Sequence, residues 1–168
     1  FSKDPDSWKI NVIADNNFYN SIKLPNKQKK YTPLCKYEEY LNIMSQCDIA
    51  FLPLADNSFN LMKSDLKAIE AGSNGLALLA SKIVYSQSFI NGKNCSFFNT
   101  EEELINQMEK WKNDHKLVHS LGLNAYEYIK NERMLSQQIN ERYLWYRSLW
   151  NRREILTKEL LFREALLK

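Results

Sequence analysis

The sequence predicts an α/β fold: a Rossmann-like parallel sheet flanked by helices, with a helical C-terminal region. Three observations predict it. Residues 47–54 (CDIAFLPL) and 76–80 (LALLA) are apolar at almost every position, as strands buried on both faces are. A helical pattern at residues 63–71 separates them, so the connection is a crossover and not a hairpin. After Thr100 only helical patterns remain.

Each element has a local reason. Residues 8–14 (WKINVIA) are β-branched and apolar and stop at Asp15-Asn16-Asn17, a strand followed by a polar loop. Residues 24–30 (LPNKQKK) read as a basic loop, and residues 31–34 as a short strand limited by Pro33. Tyr37, Tyr40, Leu41 and Met44 recur at i, i+3, i+4 and i+7, so residues 37–46 form an amphipathic helix. The strand at 47–54 leads into a polar loop at 55–60 (ADNSFN), and the helix at 63–71 stops at Gly72. Asn91-Gly92 marks a tight turn before a last short strand at 96–98. Thr100 with Glu103 is a capping box that opens a helix to Asn113. A second helix covers residues 116–130. A third runs from Leu135 toward the C-terminus, with Tyr143, Tyr146, Leu149 and Trp150 at helical spacing. The expected organisation is one Rossmann-like domain over residues 1–150 and a helical extension over 151–168.

Composition removes several function classes. Of 168 residues, 44% are hydrophobic and 26% charged, which fits a globular chain and not a disordered one. No apolar run approaches the roughly 20 residues of a membrane-spanning helix, and no signal-peptide pattern opens the chain, so a cytoplasmic protein is expected. A net charge of +3 is weak for a nucleic-acid partner, and none is expected. The 2 His and 3 Cys are scattered without metal-ligand spacing, so we expect no metal site and reduced thiols. With only 4 Gly, a multi-glycine phosphate loop is excluded.

Ligands of parallel sheets bind at the carboxyl ends of the strands, which directs attention to the loops after Ala14, Leu54 and Ala80. The second of these leads into Phe59-Asn60-Leu61-Met62-Lys63-Ser64-Asp65-Leu66-Lys67-Ala68-Ile69-Glu70. On a helix starting near Lys63, Lys63, Lys67 and Glu70 share one face, while Leu66 and Ile69 point toward the sheet. Free N–H groups and the macrodipole at that start favour an anion, to which Lys63 adds a cation and Ser64 a hydroxyl. Glu70 is suited to accept from neutral hydroxyls such as those of a ribose. Together these residues fit a nucleoside diphosphate lying across the helix start. The plain alternative is a solvated face with Lys–Glu pairs. Asn60 and Asp15 complete the candidate binding set, with an ordinary polar turn as the alternative for Asp15. His115 and His119 lie far from any strand end, and no catalytic residue is expected in this chain.

The run CDIAFLPLADNSFNLMKSDLKAIEAGSNGLALLAS resembles the nucleotide-sugar-binding half of GT-B-fold glycosyltransferases, in particular the bacterial group with a K-S-x-x-K-x-x-E segment before a small-residue turn and a buried strand. The run FINGKNCSFFNTEEELINQMEKWKNDHKLVHSLGLNAYEYI is similar to the segment that follows in that family, and the resemblance spans residues 8–150. It implies that Glu70 binds donor ribose hydroxyls, that Lys63 and Ser64 face the diphosphate or sugar, and that Lys67 is a further contact. It also implies that Gly75 is the small turn residue and that Ser81 ends the next strand near the site. There are departures. Met62 stands where the commoner pattern has a second glutamate, Ala77 where Pro is frequent, and Cys95 replaces the second glycine of the downstream turn.

The resemblance implies one half of a GT-B enzyme. It would take a nucleotide-sugar donor without a metal, transfer a sugar to a lipopolysaccharide or capsule precursor, and require an upstream acceptor-binding domain for turnover. The family's first strand, with a basic phosphate-binding residue, is expected upstream of Phe1. Two alternatives stand beside it: a non-catalytic interaction module using its C-terminal helix, and a sugar-nucleotide epimerase half. The basic tail (Arg147, Arg152, Arg153, Lys158, Arg163, Lys168) reads as solvated or partner-facing, with peripheral membrane contact as the lesser reading.

Overall fold

The computed structural model describes residues 7–167. Residues 1–6 of the expected first domain and Lys168 of the basic tail lie outside them. The chain divides into two compact units, one ending at Ile129 and one beginning at Lys130.

The first unit is Rossmann-like α/β. Its strands are β1 (Ile10–Ile13), β2 (Lys29–Thr32), β3 (Ile49–Leu52), β4 (Ala77–Ser81) and β5 (Ser96–Phe98). All pairings are parallel, in two ladders ordered β1-β2 and β3-β4-β5. The ladders adjoin: Asn11 Nδ2 donates to Cys47 Sγ at 3.4 Å, and the rings of Phe18 and Phe51 lie 6.3 Å apart. Helices α1 (Asn16–Ser21), α2 (Tyr37–Met44), α3 (Ser58–Leu61), α4 (Leu66–Ser73), α5 (Glu101–Asn113) and α6 (His115–Tyr128) connect or flank the strands.

β4 is the strand around which the rest is organised. All five of its residues are buried. Because strand side chains alternate, Leu78 and Ala80 join one cluster with Met44, Ala68, Ala71 and Ala125, while Ala77 and Leu79 join another with Phe98, Trp111 and Leu121. α4 offers Ala68, Ala71 and Gly72 as its buried face. α6 presses even closer on the entry to β4, since a Cβ on Gly122 would collide with the carbonyl oxygen of Gly75. Gly75 itself turns the chain at φ +76, the left-handed region that glycine enters without a Cβ penalty.

Several expectations need revision here. The Asp15-Asn16-Asn17 segment is not a loop: Asp15 caps α1, its Oδ1 accepting from the Phe18 amide at 2.8 Å. The basic segment around residue 29 is already strand. The polar loop at 55–60 contains a turn of helix, α3, capped by Asn57. Helix α4 starts at Leu66 and not at Lys63, and it runs through Gly72 to Ser73. The capping box holds at Thr100, whose Oγ1 accepts from Glu103, and there Glu103 answers by accepting from the Asn99 amide.

The second unit holds α7 (Leu135–Asn151) and α8 (Arg153–Leu166). The single expected helix is therefore two, broken at Arg152 with φ −100 and ψ 7. Neither helix has a buried residue, so the stripe of Tyr143, Tyr146 and Trp150 is a surface and not a core.

Candidate functional site

The connection from β3 to α4 begins with a brace. The Leu54 amide donates to Ser81 Oγ at 2.9 Å, tying the segment after β3 to the carboxyl end of β4. Asn60 is buried beneath the loop that follows. Its Nδ2 donates to the Ala55 carbonyl at 2.7 Å, and its own carbonyl accepts from the Lys63 amide at 3.1 Å. Asn60 therefore shapes the loop from inside. Ser64 and Met62 lie exposed on its outer surface, Met62 at 87%.

The later start of α4 changes the geometry expected at Lys63. Lys63 and Ser64 precede the N-cap, Asp65, whose side chain makes no capping hydrogen bond. They belong to the turn between α3 and α4, so Lys63 does not share a helical face with Lys67 and Glu70. Its ammonium lies 5.1 Å from the centre of the Phe59 ring. Leu66 is half exposed and does not reach the sheet, whereas Ile69 packs against the core as expected.

Lys67 and Glu70 do come together, with Nζ 3.6 Å from Oε2. The sequence reading missed a third member, Tyr40 of α2. Its hydroxyl donates to the same Oε2 at 3.2 Å, and Lys67 Nζ sits 4.7 Å from the centre of its ring. Tyr37, one turn earlier, lies tilted against Tyr40, their ring centres 6.0 Å apart. The i, i+3 tyrosine pair is visible in the sequence, but its spacing announces only an amphipathic helix. Burial, then the Glu70 carboxylate and the hydrogen bond to it, pushes the Tyr40 hydroxyl up to about 12, so it remains a donor at neutral pH. Glu70 is thus held through one oxygen, and its side chain is only 12% exposed.

Two other strand ends carry strained backbone. Ala14 follows β1 at φ +66, with the Asp15 amide donating to the Ile13 carbonyl at 2.9 Å. Val84 follows β4 at φ +65 and ψ −57, with the Tyr85 amide donating to Ile83 at 2.7 Å. Both are γ-turns of the rare positive-φ kind, on residues other than glycine. Asp15 lies immediately after the first, and its carboxylate caps α1.

Among the described residues no three His, Cys, Asp or Glu side chains are grouped to hold a metal ion. His115 bonds the Lys112 carbonyl at the start of α6, away from the strand ends. The three cysteines are free, and burial raises the Cys95 thiol to about 12. No described helix is long and apolar enough to cross a membrane.

The family model described as glycosyl transferase-like matches residues 7–142. Among solved structures, the C-terminal domain of a glycosyl transferase group 1 family protein, LpcC, from Francisella tularensis is similar, at 17% identity and a TM-score of 0.56. The similarity covers 66% of this chain and 56% of that one, so the chain spans little more than half of that structure. No curated protein sequence matches.

Proposed function

The chain belongs to the glycosyl transferase-like family, and from that premise we propose that its Rossmann-like unit binds the nucleoside diphosphate sugar donor of a glycosyltransferase. The observation that carries the reading is Glu70, a largely buried carboxylate on α4 fixed through Oε2 by Tyr40 and Lys67. A carboxylate oriented in advance accepts the hydroxyls of a ribose without first losing rotamer freedom. The turn at Lys63 and Ser64 supplies a cation and a hydroxyl for the diphosphate, and Lys67 a second cation. Asn60 and Asp15 serve the same site indirectly, by shaping the loops after β3 and β1. This arrangement needs no metal in the chain, because lysines and backbone amides offset the phosphate charge.

The whole reaction, in this reading, places the sugar on a cell-surface polysaccharide or lipopolysaccharide precursor in the cytoplasm. The acceptor is bound by a separate domain, without which the present unit binds donor but does not turn over. Calorimetry of the full chain with UDP, GDP and ADP, free and as sugar conjugates, tests the binding step. One base should give saturable binding. Glu70→Ala should weaken it by roughly tenfold or more, as expected for hydrogen bonds to a charged group. Saturation by none of the nucleotides, or equal affinity in the variant, would remove Glu70 from this role.

A further inference from the structure

β3 is less buried than its sequence demands. Ile49, Ala50, Phe51 and Leu52 are all apolar, yet each is only half-buried, while every residue of neighbouring β4 is buried. The cause lies at the edge of β3 that β4 does not occupy. Among the described residues no backbone hydrogen bond joins β3 to β1, although Asn11 reaches Cys47 Sγ and the Phe18 ring lies by Phe51. Within a strand, the N–H and C=O of one residue point to the same side, and successive residues point to opposite sides. Ala77 donates to the Asp48 carbonyl, so Ala50 and Leu52 also face β4, while Ile49 and Phe51 face away. Ala14 donates to the Thr32 carbonyl, so Ile10 and Val12 face β2, while Asn11 faces away. Asn11 is exposed although it sits in mid-strand.

Two unpaired strand edges therefore look toward each other, a state that folded sheets avoid. Through the side-chain contacts between the ladders, the strands run β2-β1-gap-β3-β4-β5. Doubly wound parallel sheets run 3-2-1-4-5-6. With the gap as strand 1, the two orders agree. Strand 1 precedes the others in its chain and reaches strand 2 through a crossover of about a dozen residues or more. Nine residues precede β1 here, too few for both a strand and a crossover. A second copy cannot substitute. Its edge strands β2 and β5 are each already paired on one side, so they could satisfy β1 or β3 but not both.

We propose that β1 and β3 are the walls of a slot for one parallel strand, supplied by residues that precede Phe1 in the same protein. That strand pairs with Asn11 on one side and with Ile49 and Phe51 on the other, and joins the two ladders into one sheet. It is apolar on both faces, because a central parallel strand is covered by helices above and below. Its arrival completes the burial that the apolar residues of β3 lack.

Hydrogen exchange resolved to single amides tests this, on the present chain and on the protein extended by the residues that its gene encodes before Phe1. In the present chain the Asn11, Ile49 and Phe51 amides should exchange fast, and the Ala50 amide, which faces β4, slowly. In the extended protein all four should exchange slowly, the first three by orders of magnitude less than before. Protection of Asn11, Ile49 and Phe51 in the present chain as a monomer overturns the proposal, and so does continued fast exchange in the extended protein. Protection that grows with concentration, alongside dimers in sedimentation, overturns it too by assigning the edges to a second copy. A gene that encodes no apolar strand before Phe1 leaves the slot without its occupant and overturns it outright.

Discussion

The Tyr40 hydroxyl donates to Glu70 Oε2 across 3.2 Å, joining α2 to α4 through the one oxygen that Lys67 also approaches. This contact fixes a carboxylate in a chosen rotamer before any ligand arrives. Tyr40→Phe keeps the ring beneath Lys67 and deletes only the donor. Nucleotide affinity should fall by several-fold to tenfold, in line with the loss of a hydrogen bond to a charged group. Thermal stability should change by no more than about 1 kcal/mol. Calorimetry paired with a melting curve separates the two effects, and a large fall in stability with unchanged affinity would make the contact purely structural.

Two acids with raised pKa, the buried Cys95 and the half-buried Tyr40, shape the alkaline side of stability. Cys95 and Tyr40 are both raised to about 12 in the folded protein, above ordinary values of 9.0 and 10.0, chiefly by burial. The folded chain therefore holds protons that the unfolded chain releases. The stability this brings is complete below pH 9.0 and is lost as pH climbs toward about 12. Denaturant midpoints measured across that window should decline, and Cys95→Ala should flatten the decline while lowering the neutral-pH plateau. The same burial should keep Cys95 unreactive to a thiol reagent until the chain unfolds.

Gly122→Ala should be among the most damaging single-carbon changes in the molecule. The added Cβ meets the Gly75 carbonyl and lies 3.2 Å from the Ala77 nitrogen, both backbone atoms with nowhere to rotate. We expect a loss of about 2–3 kcal/mol in chemical denaturation. Gly92→Ala is the useful contrast. Its Cβ meets nothing within 4 Å, and its φ of +73 alone should cost about 1–2 kcal/mol.

Asp15 separates capping from ligand binding. Asp15→Ala removes the acceptor of the Phe18 amide and should cost about 1 kcal/mol, whereas Asp15→Asn keeps an acceptor and should be nearly neutral. Nucleotide affinity should be unchanged in the Asn variant. A drop there with stability intact would put the carboxylate on the ligand.

β4 was legible because burial on both faces leaves an unbroken apolar run, as in residues 76–80. The similar run at 47–54 also forms a strand, but the residues of β3 are only half-buried and not enclosed on both faces as expected. Thr100 and Glu103 were legible because a cap is a local event. The start of α4 was misjudged for a related reason. Lys63, Lys67 and Glu70 keep helical spacing, but Asn57 caps an earlier turn and Asn60 holds the chain there, so the periodicity runs back past the true helix end. α1 was missed because Asp15-Asn16-Asn17 carries the same residues for a turn as for an N-cap. The role of Tyr40 was not legible because its partner Glu70 lies 30 residues away, beyond the reach of local spacing. The break at Arg152 carries neither Gly nor Pro and no side-chain cap, so nothing in the sequence announces it.

The burial of all five β4 residues between β3 and β5 also sets a timescale. Amides of β4 can meet solvent only when the whole first unit opens, so their hydrogen exchange should report global unfolding. Amides of α7 and α8, with no buried side chain above them, should exchange through fraying that leaves β4 untouched. One chain would then run on two clocks: a slow one under the strand beside the Glu70 site, and a fast one in the helices of the second unit.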